Sequence, residues 1–426
     1  MADAGSLSVG VPRETFPGER RVALTPPALA ALTKGGLRII VESGAGVEAG
    51  FGDDAYRDKG AEIGSRADAF GADIVLQVRT YPANPDAGAA DLDLLRPDQL
   101  VIGLANPLAN PEAVAEVAKR KVTFFAMELI PRITRAQSMD ALSSQANIGG
   151  YKAVICAARL LPKMMPMMTT AAGTIPPAKV FVLGVGVAGL QAIATARRLG
   201  AVVQAFDVRP ETKEQVESLG AKFVEVELDT AGAQGTGGYA KEQSEDFLRR
   251  QRELMAKVVA ASDVVITTAQ VPGKKAPVLV TAEMVQGMSP GSVIIDMAAG
   301  QGGNVEESLP DKEVVVNGVT IDGPTNLPST VPVHASMTYA KNLTAFLTNM
   351  YNVKEKVLKI DTEDEIVRES LLARGGEVTN ARVRQALGLT DPVQEPPPTA
   401  APAAPAEPAA AAVPGAQGGS GGVAAP

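Results

Sequence analysis

Residues 179–207 read KVFVLGVGVAGLQAIATARRLGAVVQAFD, and this stretch decides the fold. A β-branched run, Lys179–Leu183, leads directly into Gly184-Val-Gly186-Val-Ala-Gly189. A helical pattern follows to Gly200, and a second apolar run ends at Asp207, 23 residues after Gly184. Each part has a physical reason. Gly184 permits the tight turn from strand to helix, Gly186 lets a pyrophosphate approach the backbone, and Gly189 lets the helix sit close to the sheet. The phosphates then meet the exposed N–H groups at the positive end of the helix, where Val187 and Ala188 stand. Asp207 is placed to accept hydrogen bonds from the adenine ribose and to repel a 2′-phosphate, which favours NAD(H) over NADP(H). Val208 and Arg209 continue this edge, and the Arg209 charge is a counter-signal.

Outward from this unit the chain alternates strand and helix. On the C-terminal side the candidate strands are Lys222–Val226, Val264–Thr268, Ser292–Met297 and Glu313–Val316. On the N-terminal side they are Leu7–Val11, Arg38–Glu42, Asp73–Val78, Leu100–Leu104 and Val122–Met127, with helical patterns such as Pro26–Lys34 and Pro111–Lys119 between them. Near-continuous apolar strands separated by helices imply parallel sheets covered on both faces. The expected fold is therefore α/β, with two Rossmann-like doubly wound domains and a cleft between them. A long helical stretch, roughly Ser138–Leu161, links them. The helical region after Ser336 is expected to return to the first domain, which makes residues 1–137 and 331–391 one discontinuous domain and 138–330 the other.

Composition bounds the function. The chain has 426 residues, 46% of them hydrophobic, enough for more than one core. A net charge of −8 argues against a general nucleic-acid binder. One cysteine, Cys156, excludes an intramolecular disulfide framework, and one histidine, His334, leaves no His- or Cys-rich metal centre. No metal site is expected. The N-terminus lacks the basic leader and apolar run of a signal peptide, and no apolar stretch is long enough to span a membrane, so a cytoplasmic location is expected. Residues 392–426 hold nine Pro, twelve Ala and five Gly with two charges, a composition expected to stay disordered.

Candidates for chemistry lie before the glycine turn, in MELIPRITRAQSMDALSSQ, residues 127–145. On the residues alone a structural account suffices. Thr134-Arg-Ala-Gln137 fits a capping box, and Arg132 with Asp140 reads as a surface ion pair. Three blocks, PRITRAQSMDALSSQ, VLGVGVAGLQAIATARRLGA and TTAQVPGKKAPVL, change that reading. Together they closely resemble the soluble NAD(H)-binding component of proton-translocating nicotinamide nucleotide transhydrogenases, over nearly all of residues 7–390. The resemblance implies that Arg132, Gln137, Asp140 and Ser143 hold the carboxamide and ribose of a dihydronicotinamide, and that Gln270 also contacts the nucleotide. It implies a flap over Leu228–Gln243 whose Tyr239 closes on the site; four glycines and one aromatic there fit a mobile loop independently. It further implies a homodimer, an NADP(H)-binding β subunit and membrane-spanning subunits as partners, and a peripheral place on the inner face of the membrane.

Alanine dehydrogenases resemble the chain too, through VPRETFPGERRVALTP, residues 11–26. Those enzymes move protons as well as hydride. This sequence keeps Arg21 at their substrate-carboxylate position and has Arg79 where they have a lysine. It has no histidine across Ile102–Pro107, and Gly300 stands in place of their acid. Oxidative deamination needs such acid–base groups; direct hydride transfer between two nicotinamides does not. Arg21 then reads as a fold or nucleotide-pocket residue, His334 as a hydrogen-bonded structural residue, Cys156 as a small buried one, and the Met164–Met168 cluster as packing between domains or subunits. An amino-acid dehydrogenase and a non-catalytic NAD(H)-binding protein remain as alternatives.

Overall fold

In a computed structural model the protein is described over residues 7–225, 245–270, 273 and 275–390, apart from the side chains of 245–248. The Leu228–Gln243 segment with Tyr239, and the 392–426 tail, lie outside the described residues. The N-terminal third of the chain runs β1 (Ser8–Val11), α1 (Pro26–Thr33), β2 (Arg38–Glu42), α2 (Asp53–Arg57), β3 (Glu62–Gly64), α3 (Arg66–Phe70), β4 (Ile74–Arg79), β5 (Leu100–Leu104), α4 (Pro111–Ala118), β6 (Thr123–Ala126) and α5 (Ala141–Leu160). The middle runs β7 (Met168–Thr170), β8 (Gly173–Ile175), β9 (Lys179–Leu183), α6 (Val187–Arg198), β10 (Val202–Phe206), α7 (Thr212–Ser218), β11 (Lys222–Phe223) and α8 (Glu245–Ala260). Then come β12 (Val264–Thr267), α9 (Ala282–Gln286), β13 (Val293–Asp296), β14 (Glu313–Val316) and β15 (Val319–Asp322). The chain continues with α10 (Pro332–Met350), β16 (Tyr351–Asn352), β17 (Val357–Leu358), α11 (Glu365–Ser370), β18 (Leu371–Arg374), β19 (Glu377–Val378) and α12 (Ala381–Ala386).

Two sheets organise these elements. The first has the order β19-β18-β6-β5-β4-β1-β2-β3, with β1 to β6 parallel, β18 antiparallel to β6 and β19 antiparallel to β18 at the edge. The second has the order β11-β10-β9-β12-β13-β15-β14, parallel except for β14. From its first strand outward, each sheet is doubly wound, with a strand order that reverses once, between β1 and β4 and between β9 and β12. At such a reversal the connections leave in opposite directions and open a crevice beyond the strand C-termini.

Both faces of each sheet are buried. In β9, Val180 and Val182 pack with Ala153, Ala157, Ala192 and Ala196 of α5 and α6. Phe181 and Leu183 point the other way, toward Met255 and Val259 of α8 and Val285 of α9. Burial on both faces is why these strands read as continuous apolar runs rather than alternating ones. In the first sheet, Val9, Val41, Leu76 and Phe125 share a core with Tyr339, Leu343, Phe346 and Leu347 of α10. Phe125 and Phe346 meet edge to face, with ring centroids 5.4 Å apart. Helix α10 therefore packs on the first sheet although it follows the second in sequence.

Sequence and structure differ at several points. The linking helix begins at Ala141 rather than Ser138, because residues Thr134–Met139 form a 3₁₀ turn instead. No side chain caps that turn, so the expected capping box at Thr134 is absent; Asp140 caps α5 in its place. The Lys222–Val226 run forms a strand over Lys222–Phe223, with Val224 N–H donating on to the Ala205 carbonyl at 2.8 Å, and Val226 lies outside the described residues. Strands β3, β15 and β18 join the two large sheets without having been legible in the sequence.

Candidate functional site

The glycine turn sits at the C-terminal end of β9, at the order reversal of the second sheet. Gly184 has φ = +95°, a left-handed conformation that a Cβ would strain, and that Cβ would lie 2.7 Å from Thr268 Oγ1. A Cβ on Gly189 would fall 1.9 Å from the Gly184 carbonyl oxygen, so the first turn of α6 lies directly on the loop. At Gly186 the opposite holds: a Cβ would meet nothing within 4 Å. That open face, beside the N-terminus of the twelve-residue helix α6, fits a pyrophosphate approaching the backbone. Val187 and Ala188 are the first helical residues there, and Val187 is exposed.

Asp207 follows β10 and faces the turn. Its Oδ2 accepts from Val185 N–H at 2.7 Å, and its Oδ1 accepts from Arg209 N–H at 2.9 Å. The Arg209 guanidinium lies across both oxygens, with Nε at 2.9 Å from Oδ1 and Nη2 at 3.0 Å from Oδ2. Burial alone would raise the Asp207 pKa, but the guanidinium and the two backbone N–H groups hold it below the usual carboxylate range. Four donors fill the four lone-pair positions of the carboxylate. The Arg209 side chain that covers it is half exposed. Val208 beside it is 77% exposed.

The loops after β12 and β13 complete this end. Thr268 Oγ1 donates to the Gly184 carbonyl at 3.0 Å, and the Gln270 amide donates to the Met297 carbonyl at 2.7 Å. Behind them, buried Asp296 accepts from Thr267 Oγ1, Ala298 N–H and Asn304 N–H. Asn304 in turn bonds both the N–H and the carbonyl of Ala269. A closed polar network of this kind fixes backbone geometry because each lost bond leaves a buried group unsatisfied. Sequence reasoning passed over Asp296 and Asn304; nothing local marks them.

Of the other candidates, Arg132 and Gln137 are exposed, and among the described residues no ion pair joins Arg132 to Asp140. Asp140 instead holds Ser143, accepting its N–H at 2.8 Å and its hydroxyl at 2.6 Å, the N-cap of α5. Helix α5 then runs to the glycine turn. Ser143 and Gly150 are about 10 Å apart along its axis at 1.5 Å per residue, and a Cβ on Gly150 would lie 2.1 Å from the Ala188 carbonyl oxygen.

At the order reversal of the first sheet lies a buried charged cluster. Arg21 donates through Nε and Nη2 to Glu19, both at 2.7 Å, and through Nη1 to Gln145 at 2.9 Å. Arg79 Nε reaches Glu19 at 3.0 Å while its guanidinium stacks on Phe16, 4.0 Å from the ring centroid. Burial works to raise Glu19, yet the two arginines hold it far below the carboxylate range. Glu14, on the N–H groups of Val78 and Arg79, is pushed up to about 8 by burial and by Glu19. Arg21 is therefore buried, with its guanidinium engaged by Glu19 and Gln145. His334 is a correction: it is exposed on the first turn of α10, and no side-chain hydrogen bond to it is found among the described residues. Cys156 is half-buried against the second core. Among the described residues no three His, Cys, Asp or Glu side chains cluster to hold a metal, and no helix is long and apolar enough to cross a membrane.

Two doubly wound α/β units, one carrying a dinucleotide turn at its order reversal, define the class of NAD(P)-linked oxidoreductase folds. The chain belongs to the alanine dehydrogenase/PNT family: residues 10–149 match its N-terminal domain and residues 153–381 its C-terminal domain. It is 49% identical to an NAD(P) transhydrogenase subunit alpha chain of Rhodospirillum rubrum, over 88% of this chain and 98% of that one. A solved transhydrogenase structure from Sinorhizobium meliloti superposes with a TM-score of 0.79 at 46% identity, covering 87% of this chain and 99% of the other. An L-alanine dehydrogenase structure superposes at 0.74 with 27% identity, covering 90% and 99%.

Proposed function

We propose that this chain is the NAD(H)-binding component of a proton-translocating transhydrogenase, presenting NADH for direct hydride transfer to NADP⁺ held on a partner subunit. Bound NADH supplies the hydride. The chain's residues supply position: Gly184, Gly186, Val187, Ala188 and Gly189 receive the pyrophosphate, Asp207, Val208 and Arg209 the adenine ribose, and Gln270 the nicotinamide side. Arg132, Gln137, Asp140 and Ser143 orient the carboxamide and its ribose, and Tyr239, outside the described residues, closes over them.

The observation that carries this reading is the mechanical link between the two groups. One helix, α5, is capped by the Asp140–Ser143 pair and packs through Gly150 on the backbone of the glycine turn. A nucleotide seated on that turn is thereby held in register with the loop. Orientation of this sort supplies most of what a hydride transfer needs, since no proton changes hands at the reacting carbons. Gly300 and the histidine-free Ile102–Pro107 segment agree, because they leave out the acid–base groups of an amino-acid dehydrogenase.

The sheet memberships support dividing the chain into residues 1–137 with 331–391 and residues 138–330. The β7–β8 hairpin, all six residues exposed, carries Met168 and Ile175 next to exposed Met164 and Met167, and suits a homodimer contact. NADP(H)-binding β and membrane-spanning subunits complete the enzyme, with this chain peripheral on the cytoplasmic side. The test is NADH oxidation by the purified chain with and without an NADP⁺-loaded partner domain, with pyruvate plus ammonium as a competing acceptor. Transfer only with the partner is expected; turnover of pyruvate and ammonium by the chain alone would overturn the proposal.

A further inference from the structure

The 3₁₀ turn Thr134–Met139 presents Gln137 and leads into Asp140. It is a short turn of six residues, and 3₁₀ geometry makes its i→i+3 backbone bonds poor ones. Only Ala136 and Met139 are buried within it. The remaining ties come from the far end of the chain. Asn342 of α10 donates through Nδ2 to the Ser138 carbonyl at 2.8 Å and accepts from Ser144 Oγ at 2.7 Å. Arg135 meets Asp364 as a two-pronged ion pair, Nη1 on Oδ2 at 3.0 Å and Nη2 on Oδ1.

Asp364 is not a loose surface acid. It caps α11 by accepting Ile366 N–H at 2.9 Å and also accepts from Asn349 Nδ2 at 3.2 Å. Arg135 chiefly, with these donors, holds the carboxylate well below its ordinary range. The acid is thus fixed by its own helix before it meets the turn. Pairs of long exposed side chains are usually worth little because both partners must be ordered. Here one partner is ordered already and the other presents a planar fork that matches it.

We infer that Asp364 and Asn342 are positioning residues for hydride transfer: through Arg135 and the Ser138 carbonyl they hold the Arg132–Asp140 turn at the distance the nicotinamide requires. This rests on the function proposed above. Misplacement of an orienting group by about 1 Å can cost on the order of a hundredfold in rate while binding, dominated by the distant pyrophosphate and adenine contacts, changes little.

The variants separate positioning from folding. Asp364→Asn keeps a good helix cap but loses the ion pair; Arg135→Lys keeps the charge but loses the fork; Asn342→Ala removes both amide contacts. Two readouts are taken on the full chain with NADH: backbone hydrogen exchange across residues 131–140, and the rate of hydride transfer to an NADP⁺-loaded partner domain. Asp364→Asn and Asn342→Ala are expected to raise exchange in that segment and to lower the transfer rate about tenfold or more, with NADH affinity within about threefold; Asp364→Asn should keep its melting temperature, while buried Asn342→Ala lowers it. Arg135→Lys should fall between. Unchanged exchange, or raised exchange with an unchanged rate, overturns the inference. A wild-type chain that transfers no hydride overturns the proposed function instead, and raised exchange in the variants would then still show the clamp while its catalytic purpose fails.

Discussion

Gly150 of α5 lies so close to Ala188 of α6 that a Cβ on it would stand 2.1 Å from the Ala188 carbonyl oxygen. Its neighbour Gly149 is different, because a Cβ there would meet only the flexible tip of Met297, at 3.0 Å. The two glycines thus make a matched pair for testing the link between loop and nucleotide turn. Gly150→Ala must push two helices apart. It is expected to lose about 1–3 kcal/mol of stability or more and to weaken NADH binding. Gly149→Ala is expected to stay near wild type in both. Denaturant unfolding and NADH titration of the two variants check this, and equal behaviour would sink the argument.

On the proposed function, Asp207 would carry a preference for NADH over NADPH. Asp207→Asn removes the anion that repels a 2′-phosphate and releases the Arg209 guanidinium to receive one. The variant should bind NADH about tenfold more weakly, a loss of roughly 1.4 kcal/mol, and gain NADPH binding. Equilibrium titration with both nucleotides measures it. A variant that weakens for both alike would assign Asp207 to the fold rather than to selection.

Asp140 caps α5, and the proposed function gives it a second duty that one substitution would confound with the first. Asp140→Ala removes the α5 cap, a change worth about 1 kcal/mol of stability, as well as any contact with the nicotinamide ribose. Asp140→Asn keeps the cap acceptor for Ser143 N–H. If Asp140 orients the ring, Asp140→Asn should slow hydride transfer far more than it weakens NADH binding, with little change in melting temperature. Proportionate losses in rate and affinity would argue for a purely structural cap.

Glu14 is expected to make stability fall as pH rises toward 8. Its folded pKa of about 8 lies above the ordinary carboxylate value, so between about pH 4.5 and 8 the folded state holds a proton that the unfolded state has released. Stability therefore declines across that window, by at most about 1.4 kcal/mol per pH unit. Glu19, held low by Arg21 and Arg79, has the opposite sign: its contribution is present at neutral pH and is lost in acid. Denaturation from pH 5 to 9 should show the decline in wild type and flatten it in Glu14→Gln. A wild-type profile already flat over this range would contradict the assignment.

Much of this was legible in the chain because it is local. Strand β9, the glycine turn, helix α6 and the acid after β10 lie within 29 consecutive residues, and each residue type there is dictated by backbone conformation or by contact with its near neighbours. The parallel character of both sheets followed from apolar runs buried on two faces. The nicotinamide role proposed for the Arg132–Ser143 loop comes only through resemblance, since on the residues alone a cap explains it, and a cap is what Asp140 also forms.

What the tertiary structure decided depends on partners distant in sequence. Short β3 carries too few residues to announce itself, and β15 and β18, near the sheet edges, depend on a neighbouring strand that offers open hydrogen-bonding groups. Asp364 lies 229 residues from Arg135, and Asn342 lies 204 from Ser138. The saturation of Asp207 by Arg209 turns on a side-chain rotamer rather than on residue identity. Local conformational preference is encoded in the order of residues; which acid meets which arginine, and which glycine touches which carbonyl, is settled only when the sheets and helices pack.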